Sequence, residues 1–196
     1  MLAHLRPALV SMSLFTLLLG VAYPLVITGA GQGLMPVQAN GSIVRSGGRV
    51  IGSELIGQSF TGPAYLHGRP SAAGADGYDA SASSGSNLGP LSPDLARRVA
   101  EDAAALRGET GSAVLPADAV TTSASGLDPH ISPANAELQA SRIAAARGAD
   151  PAQVRRIIAR HVEGRTFGVL GQPRVNVLLT NLALDRELGA PQRPVR

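Results

Sequence analysis

The chain has 196 residues, 16% of them charged, with a formal net charge of +3. Cysteine is absent, which excludes disulfides and thiolate metal sites, and aromatics make up only 3%. Every basic side chain is Arg, and these are scattered rather than gathered into a stripe, so no nucleic-acid footprint is present.

Residues 1–8 form a short tail containing His4 and Arg6. From Leu9 to Ile27 the chain reads LVSMSLFTLLLGVAYPLVI, with no charge. A helix of that length spans about 28 Å, close to the hydrocarbon thickness of a bilayer. The reading is a single transmembrane helix over 9–27. Its polar side chains are Ser11, Ser13 and Thr16. Ser13 and Thr16 share a face, with Gly20 one turn further on. That face either packs on another membrane helix through small residues or turns three tolerated hydroxyls to lipid. Arg6 precedes the span and no further cation follows until Arg45. By the positive-inside rule the tail is cytoplasmic, and residues 28–196 form one extracytoplasmic domain. Tyr23 suits the outer interface, and Pro24 is expected to kink or end the helix. A cleavable signal peptide is the rival, with Thr28-Gly29-Ala30 or Val37-Gln38-Ala39 as cleavage sites. The apolar run is longer than the usual signal core of about 7–15 residues, which favours a retained anchor.

Ser46-Gly47-Gly48-Arg49, between Ile43-Val44 and Val50-Ile51, reads as a hairpin turn. Phe60 to Pro90 is rich in Gly, Ser, Ala, Asp and Pro and has no periodicity. It also holds Tyr65, Leu66, His67, Arg69 and Tyr78, which low-complexity disorder lacks, so it reads as an ordered, irregular loop. Tyr65, His67, Arg69, Tyr78, Asp79 and Asn87 form either a polar contact surface or a set of pins holding the loop to its own domain.

Three helix starts follow at Ser92-Pro93, Ser132-Pro133 and Asp150-Pro151, each a capping side chain before Pro at the first helical position. The helices are expected over 93–107, 133–147 and 151–163, ending at Gly108, Gly148 and Gly164. Leu95, Val99, Ala103 and Leu106 stripe the first. Val154, Ile157, Ile158 and Val162 stripe the third. Residues 108–122 read as a short strand and loops. Residues 175–188 fit a helix, although Val175, Val177 and Leu179 also fit a strand. The sum is an α/β or α+β fold: one membrane helix, then a small mixed sheet packed with about four helices.

Catalytic signatures are sparse. His4, His67, His130 and His161 share no metal-ligand spacing. Asp128, His130 and Ser132 are the residue types of a hydrolytic triad, but neighbours in one turn cannot form the relay, and Ser132 is better used as a helix cap. No GxxxxGK[ST] phosphate loop occurs. Asn40-Gly41-Ser42 matches a glycosylation pattern, but three residues match by chance often and a turn is the favoured reading. Asp76 and Asp79 lack the companion oxygens of a Ca²⁺ site.

Several segments are familiar as a series. They run Tyr23-Pro24-Leu25-Val26-Ile27-Thr28-Gly29, Gln38-Ala39-Asn40-Gly41-Ser42, Gly52-Ser53-Glu54-Leu55-Ile56-Gly57-Gln58, His67-Gly68-Arg69-Pro70-Ser71-Ala72, Tyr78-Asp79-Ala80 and Gly85-Ser86-Asn87-Leu88-Gly89-Pro90. Ser125 to Ala134, Glu163-Gly164-Arg165 and Pro173-Arg174-Val175-Asn176-Val177 complete it. The series closely resembles the C subunits of bacterial Kdp-type potassium-transporting ATPases over essentially the whole chain. Ala82, Ser83-Ser84 and Val162 are small departures.

The resemblance implies a non-catalytic accessory subunit in the bacterial inner membrane. Its implied partners are a channel-like A subunit, a P-type ATPase B subunit, a small F subunit and membrane lipid. It implies a role in assembly, and a description as a catalytic chaperone that raises the ATP affinity of the B subunit. ATP is thus a ligand by resemblance alone, and no cofactor, metal or catalytic residue is expected from the residues themselves. The alternatives are an anchored extracytoplasmic enzyme using His130 or His67, and an ATP-binding module.

Overall fold

The computed structural model describes residues 2–191, with side chains from His4. They fall into two compact units that divide after Ser53.

The first unit begins with α1 (Leu2–Leu17), a π-helical turn (Leu18–Ala22) and α2 (Tyr23–Leu34), which follow one another without a break. The stretch His4–Leu34 has a mean hydropathy of 2.1 and buries none of its side chains in the protein. It is long and apolar enough to cross a bilayer. Pro24 does not end it. Tyr23 N donates to Leu18 O, five residues back. The wide turn therefore sits directly before Pro24, which has no N–H to give and would crowd the Gly20 carbonyl in a regular helix. A short turn of helix, α3 (Pro36–Ala39), leads into the hairpin β1 (Ile43–Ser46) and β2 (Arg49–Ser53). Gly47 and Gly48 both have positive φ, 55° and 78°, as a two-residue type I′ turn requires.

The second unit opens with residues 54–92, which contain no helix or strand. Then come α4 (Pro93–Thr110), a 3₁₀ turn (Ala117–Ala119), β3 (His130–Ile131), α5 (Pro133–Arg147), α6 (Pro151–Arg160), β4 (Val162–Glu163), β5 (Arg174–Asn176) and α7 (Val177–Leu188). The result is the expected mixed α/β fold, with four helices in this unit. Its sheet runs β3-β5-β4, antiparallel at both pairings.

The three Pro-headed helices start where their caps place them. Ser92 accepts from Leu95 N, Ser132 from Asn135 N, and Asp150 from Ala152 N. Their ends are less regular. The first passes Gly108 and stops at Gly111, which takes the left-handed φ of 67° that closes a helix. The third stops at Arg160, because Val162 and Glu163 leave it to pair with Val175 and Arg174. The segment 175–188 is strand first and helix after, with the Asn176 side chain accepting from Leu179 N at the switch. No strand forms in 108–122, which hold the end of α4 and the 3₁₀ turn.

The core is aliphatic. Leu66, Ile143, Val154, Ile157, Val175 and Leu184 are each 0% exposed. Each contributes about 1.5–3 kcal/mol by leaving water. Leu66 comes from the irregular loop, so that segment is bolted into the core.

Candidate functional site

The irregular loop is ordered by side chains from elements far along the chain. Asn181, on α7, accepts from Leu66 N at 2.7 Å through Oδ1 and donates to Leu66 O at 3.0 Å. Gln139, on α5, accepts from His67 N at 2.8 Å and donates to His67 O at 3.2 Å. Two amides thus do for this buried strip of backbone what a neighbouring strand would do. Arg142 adds bonds to Pro63 O at 2.6 Å and Tyr65 O at 3.1 Å, and pairs with Glu109 at 2.8 Å. The Arg147 side chain, 1% exposed, donates to Ala64 O and pairs with Asp185 at 2.8 Å. Its guanidinium lies 5.0 Å from the Tyr65 ring centre.

Within that frame, Tyr65 OH donates to Asp185 Oδ2 at 3.2 Å. Burial and the Asp185 charge raise the Tyr65 hydroxyl above its ordinary pKa. The His67 ring reaches Gly62 O at 3.0 Å, and burial, aided by Arg142, pushes its pKa below the usual 6.5. Arg69 pairs with Asp128 at 3.1 Å and donates to Thr121 O and Thr122 O. Tyr78 OH donates to Arg69 O at 2.6 Å. Burial, then the Asp128 charge, raises the Tyr78 hydroxyl. Asp79 is exposed and folds back on Ser81, and Asn87 is exposed at a positive φ of 51°. Tyr65, His67, Arg69 and Tyr78 therefore spend their polar atoms inside this unit, while Asp79 and Asn87 face outward.

His130 lies elsewhere on the unit. Its Nδ1 is 3.6 Å from Asp128 Oδ1 and its Nε2 is 4.0 Å from Glu163 Oε1. Burial alone would raise the Asp128 carboxyl, but bonds from His130 and the Arg69 charge outweigh it and hold the carboxyl below its ordinary value. Ser132 is committed elsewhere: its Oγ donates to Asp118 Oδ1 at 2.8 Å and accepts from Asn135 N. The hydroxyl is a cap clasped by a carboxylate, not a nucleophile facing a base. His67 lines a cleft of about 340 Å³ with Tyr78, Asp76 and Asp102. His130 lines a different one of about 510 Å³ with Asp118, Ser132 and Arg174. Among the described residues, Arg69 alone borders both. Among the described residues, no three His, Asp or Glu converge as a metal centre.

In the apolar helix, Ser13, Thr16 and Gly20 are all exposed. A methyl group on Gly20 would lie 4.0 Å from Thr16 Cγ2, so these two share a face even across the π turn.

Asn181, Gln139, Arg142 and Arg147 are the residues that sequence reasoning passed over. The available signal was a bare amide on an apolar helix face: Asn181 follows Leu178 and Leu179 and precedes Leu182 and Leu184.

The family model described as the K⁺-transporting ATPase, c chain, matches residues 5–186. The potassium-transporting ATPase KdpC subunit of Caulobacter vibrioides (strain NA1000) is 62% identical over 186 residues, 94% of both chains. The subunit of the same name from Beijerinckia indica is 57% identical over 197 residues and covers 100% of both. That from Gemmatimonas aurantiaca is 56% identical over 198 residues, all of this chain and 98% of the relative. With its apolar helix and its clamped loop domain both inside the matched region, the chain belongs to the family of K⁺-transporting ATPase c chains.

Proposed function

We propose that the chain is the non-catalytic accessory subunit of an ATP-driven, high-affinity potassium uptake pump, needed for assembly and stability of the complex. The observation that carries this is 62% identity, over 94% of both chains, to a protein named as a potassium-transporting ATPase subunit. The apolar helix is its anchor, with residues 1–8 cytoplasmic and 28–196 extracytoplasmic. Arg6 before the span, and the lack of any cation until Arg45, support that orientation. Ser13, Thr16 and Gly20 supply a small-residue face for a partner helix.

The partners are a channel-like A subunit, the ATP-hydrolysing B subunit and a small F subunit. Any rise in the ATP affinity of the complex is exerted through the B subunit. The sequence has no phosphate loop, and the domain lies across the membrane from cytoplasmic ATP in this orientation. A host strain lacking the chain should fail to grow on micromolar K⁺ and recover when the chain is restored. Unimpaired uptake without it would refute the role. Saturable ATP binding by the purified chain alone would refute the indirect route.

A further inference from the structure

The loop joining β4 to β5 carries its apolar side chains outward. Phe167 is 89% exposed, Val169 70% and Leu170 59%. The tip is tightly made. Thr166 and Leu170 exchange both backbone hydrogen bonds at 2.9 Å, and Gly168 N donates to Arg165 O at 3.0 Å. Phe167 sits at a φ of 53°, a left-handed conformation that bulky side chains avoid. Glycine at this position would make the same turn without strain and without an exposed ring. The chain instead carries an exposed phenyl ring on a disfavoured backbone conformation, and such strain collects at functional sites.

On the elements flanking the loop, Arg160 is paired with Glu187 and Arg174 with Glu163. Arg165, at the base of the tip, reaches Gln172 Oε1 at 3.4 Å and no carboxylate among the described residues.

We propose that the Arg165–Leu170 tip plugs into an apolar pocket, rimmed by a carboxylate, on another protein subunit of the pump. This rests on the accessory-subunit reading above. A fluid bilayer accepts apolar side chains in many geometries, so it gives no reason for a strained, pre-formed tip; a shaped pocket does. Electrostatic attachment to a phospholipid surface takes a cluster of basic side chains, and the Arg165–Leu170 tip carries a single one. A two-fold contact made tip to tip between copies of the chain would set Arg165 near Arg165.

The chain has no cysteine, so Thr166→Cys introduces a unique thiol beside Phe167. The full-length T166C chain is treated with a water-soluble maleimide in three states: alone in detergent, alone in proteoliposomes, and in the purified complex. Labelling slowed about tenfold or more in the complex only is the expected result. Equal labelling in all three states overturns the proposal. Protection in proteoliposomes of the chain alone assigns the tip to lipid, and protection in detergent with a dimer mass assigns it to a second copy; either overturns it. A F167S/V169S/L170S chain should co-purify about tenfold less of the other subunits, with its own unfolding transition unchanged. Undiminished co-purification overturns the proposal while the accessory role stands. If the wild-type chain captures no other subunit, the accessory-subunit reading itself fails, and the tip proposal with it.

Discussion

Asn181 is 2% exposed, and its amide closes a two-bond clasp on Leu66, itself 0% exposed. Leucine is close to asparagine in size but can make neither bond. Asn181→Leu therefore leaves the Leu66 N–H and C=O both buried and unpaired, where water cannot replace the lost partner. A buried group left without its hydrogen bond loses about 1–3 kcal/mol. Two such groups, offset by the gain from burying an apolar side chain in place of an amide, give a net loss of about 3 kcal/mol. In a domain of this size that lowers the unfolding temperature by about 10 °C. The assay is urea and thermal unfolding of the full chain in detergent, followed by circular dichroism. The denaturant slope should stay constant, so that the midpoint reports stability alone. A loss below about 1 kcal/mol would refute the reasoning, since the loop backbone would then have found other partners.

Gly126→Ala should be far worse than Gly148→Ala. Both sites have positive φ, but a methyl at Gly126 meets Ser84 O at 2.6 Å and Ala73 N at 2.7 Å, whereas Gly148 faces open space. Losses of about 3 and about 1 kcal/mol in urea unfolding are expected, and equal losses would show that the loop yields at no cost. Burial holds the folded His67 ring below its ordinary 6.5, so the unfolded chain takes up a proton first as pH falls. Stability therefore declines below pH 6.5 and levels off once the folded ring titrates too. His67→Gln should flatten that decline between pH 7 and 5.5, and an unchanged decline in urea midpoints would assign it to other groups. Replacing Ser13, Thr16 and Gly20 together by Leu should loosen the complex in detergent. If co-purification of the other subunits is unchanged, the packing face lies elsewhere on the helix.

Local chemistry was the readable part of this fold. Ser92, Ser132 and Asp150 cap their helices with atoms two or three residues away, so their starts could be placed from the sequence. Helix ends depend on more. Gly108 and Gly111 are equivalent as letters, and only the second adopts the left-handed turn. The short strands β3 and β4 exist because each pairs with β5 between them, and no periodicity fits in two or three residues. The irregular loop could be recognised as ordered from Tyr65, Leu66, His67 and Tyr78. What orders it could not, because Gln139 and Asn181 lie 72 and 115 residues away from the backbone they hold. The family, by contrast, was written in the ordered series of motifs along the chain, although the contacts that make those motifs necessary were not.

The most direct test of the accessory role is affinity purification of the tagged full-length chain from its host's membranes, grown at limiting K⁺ and extracted in mild detergent. A P-type ATPase and a channel-like membrane protein should come with it, and the eluate should hydrolyse ATP in response to K⁺. A chain that elutes alone, from membranes in which that ATPase is present and active, would contradict that role.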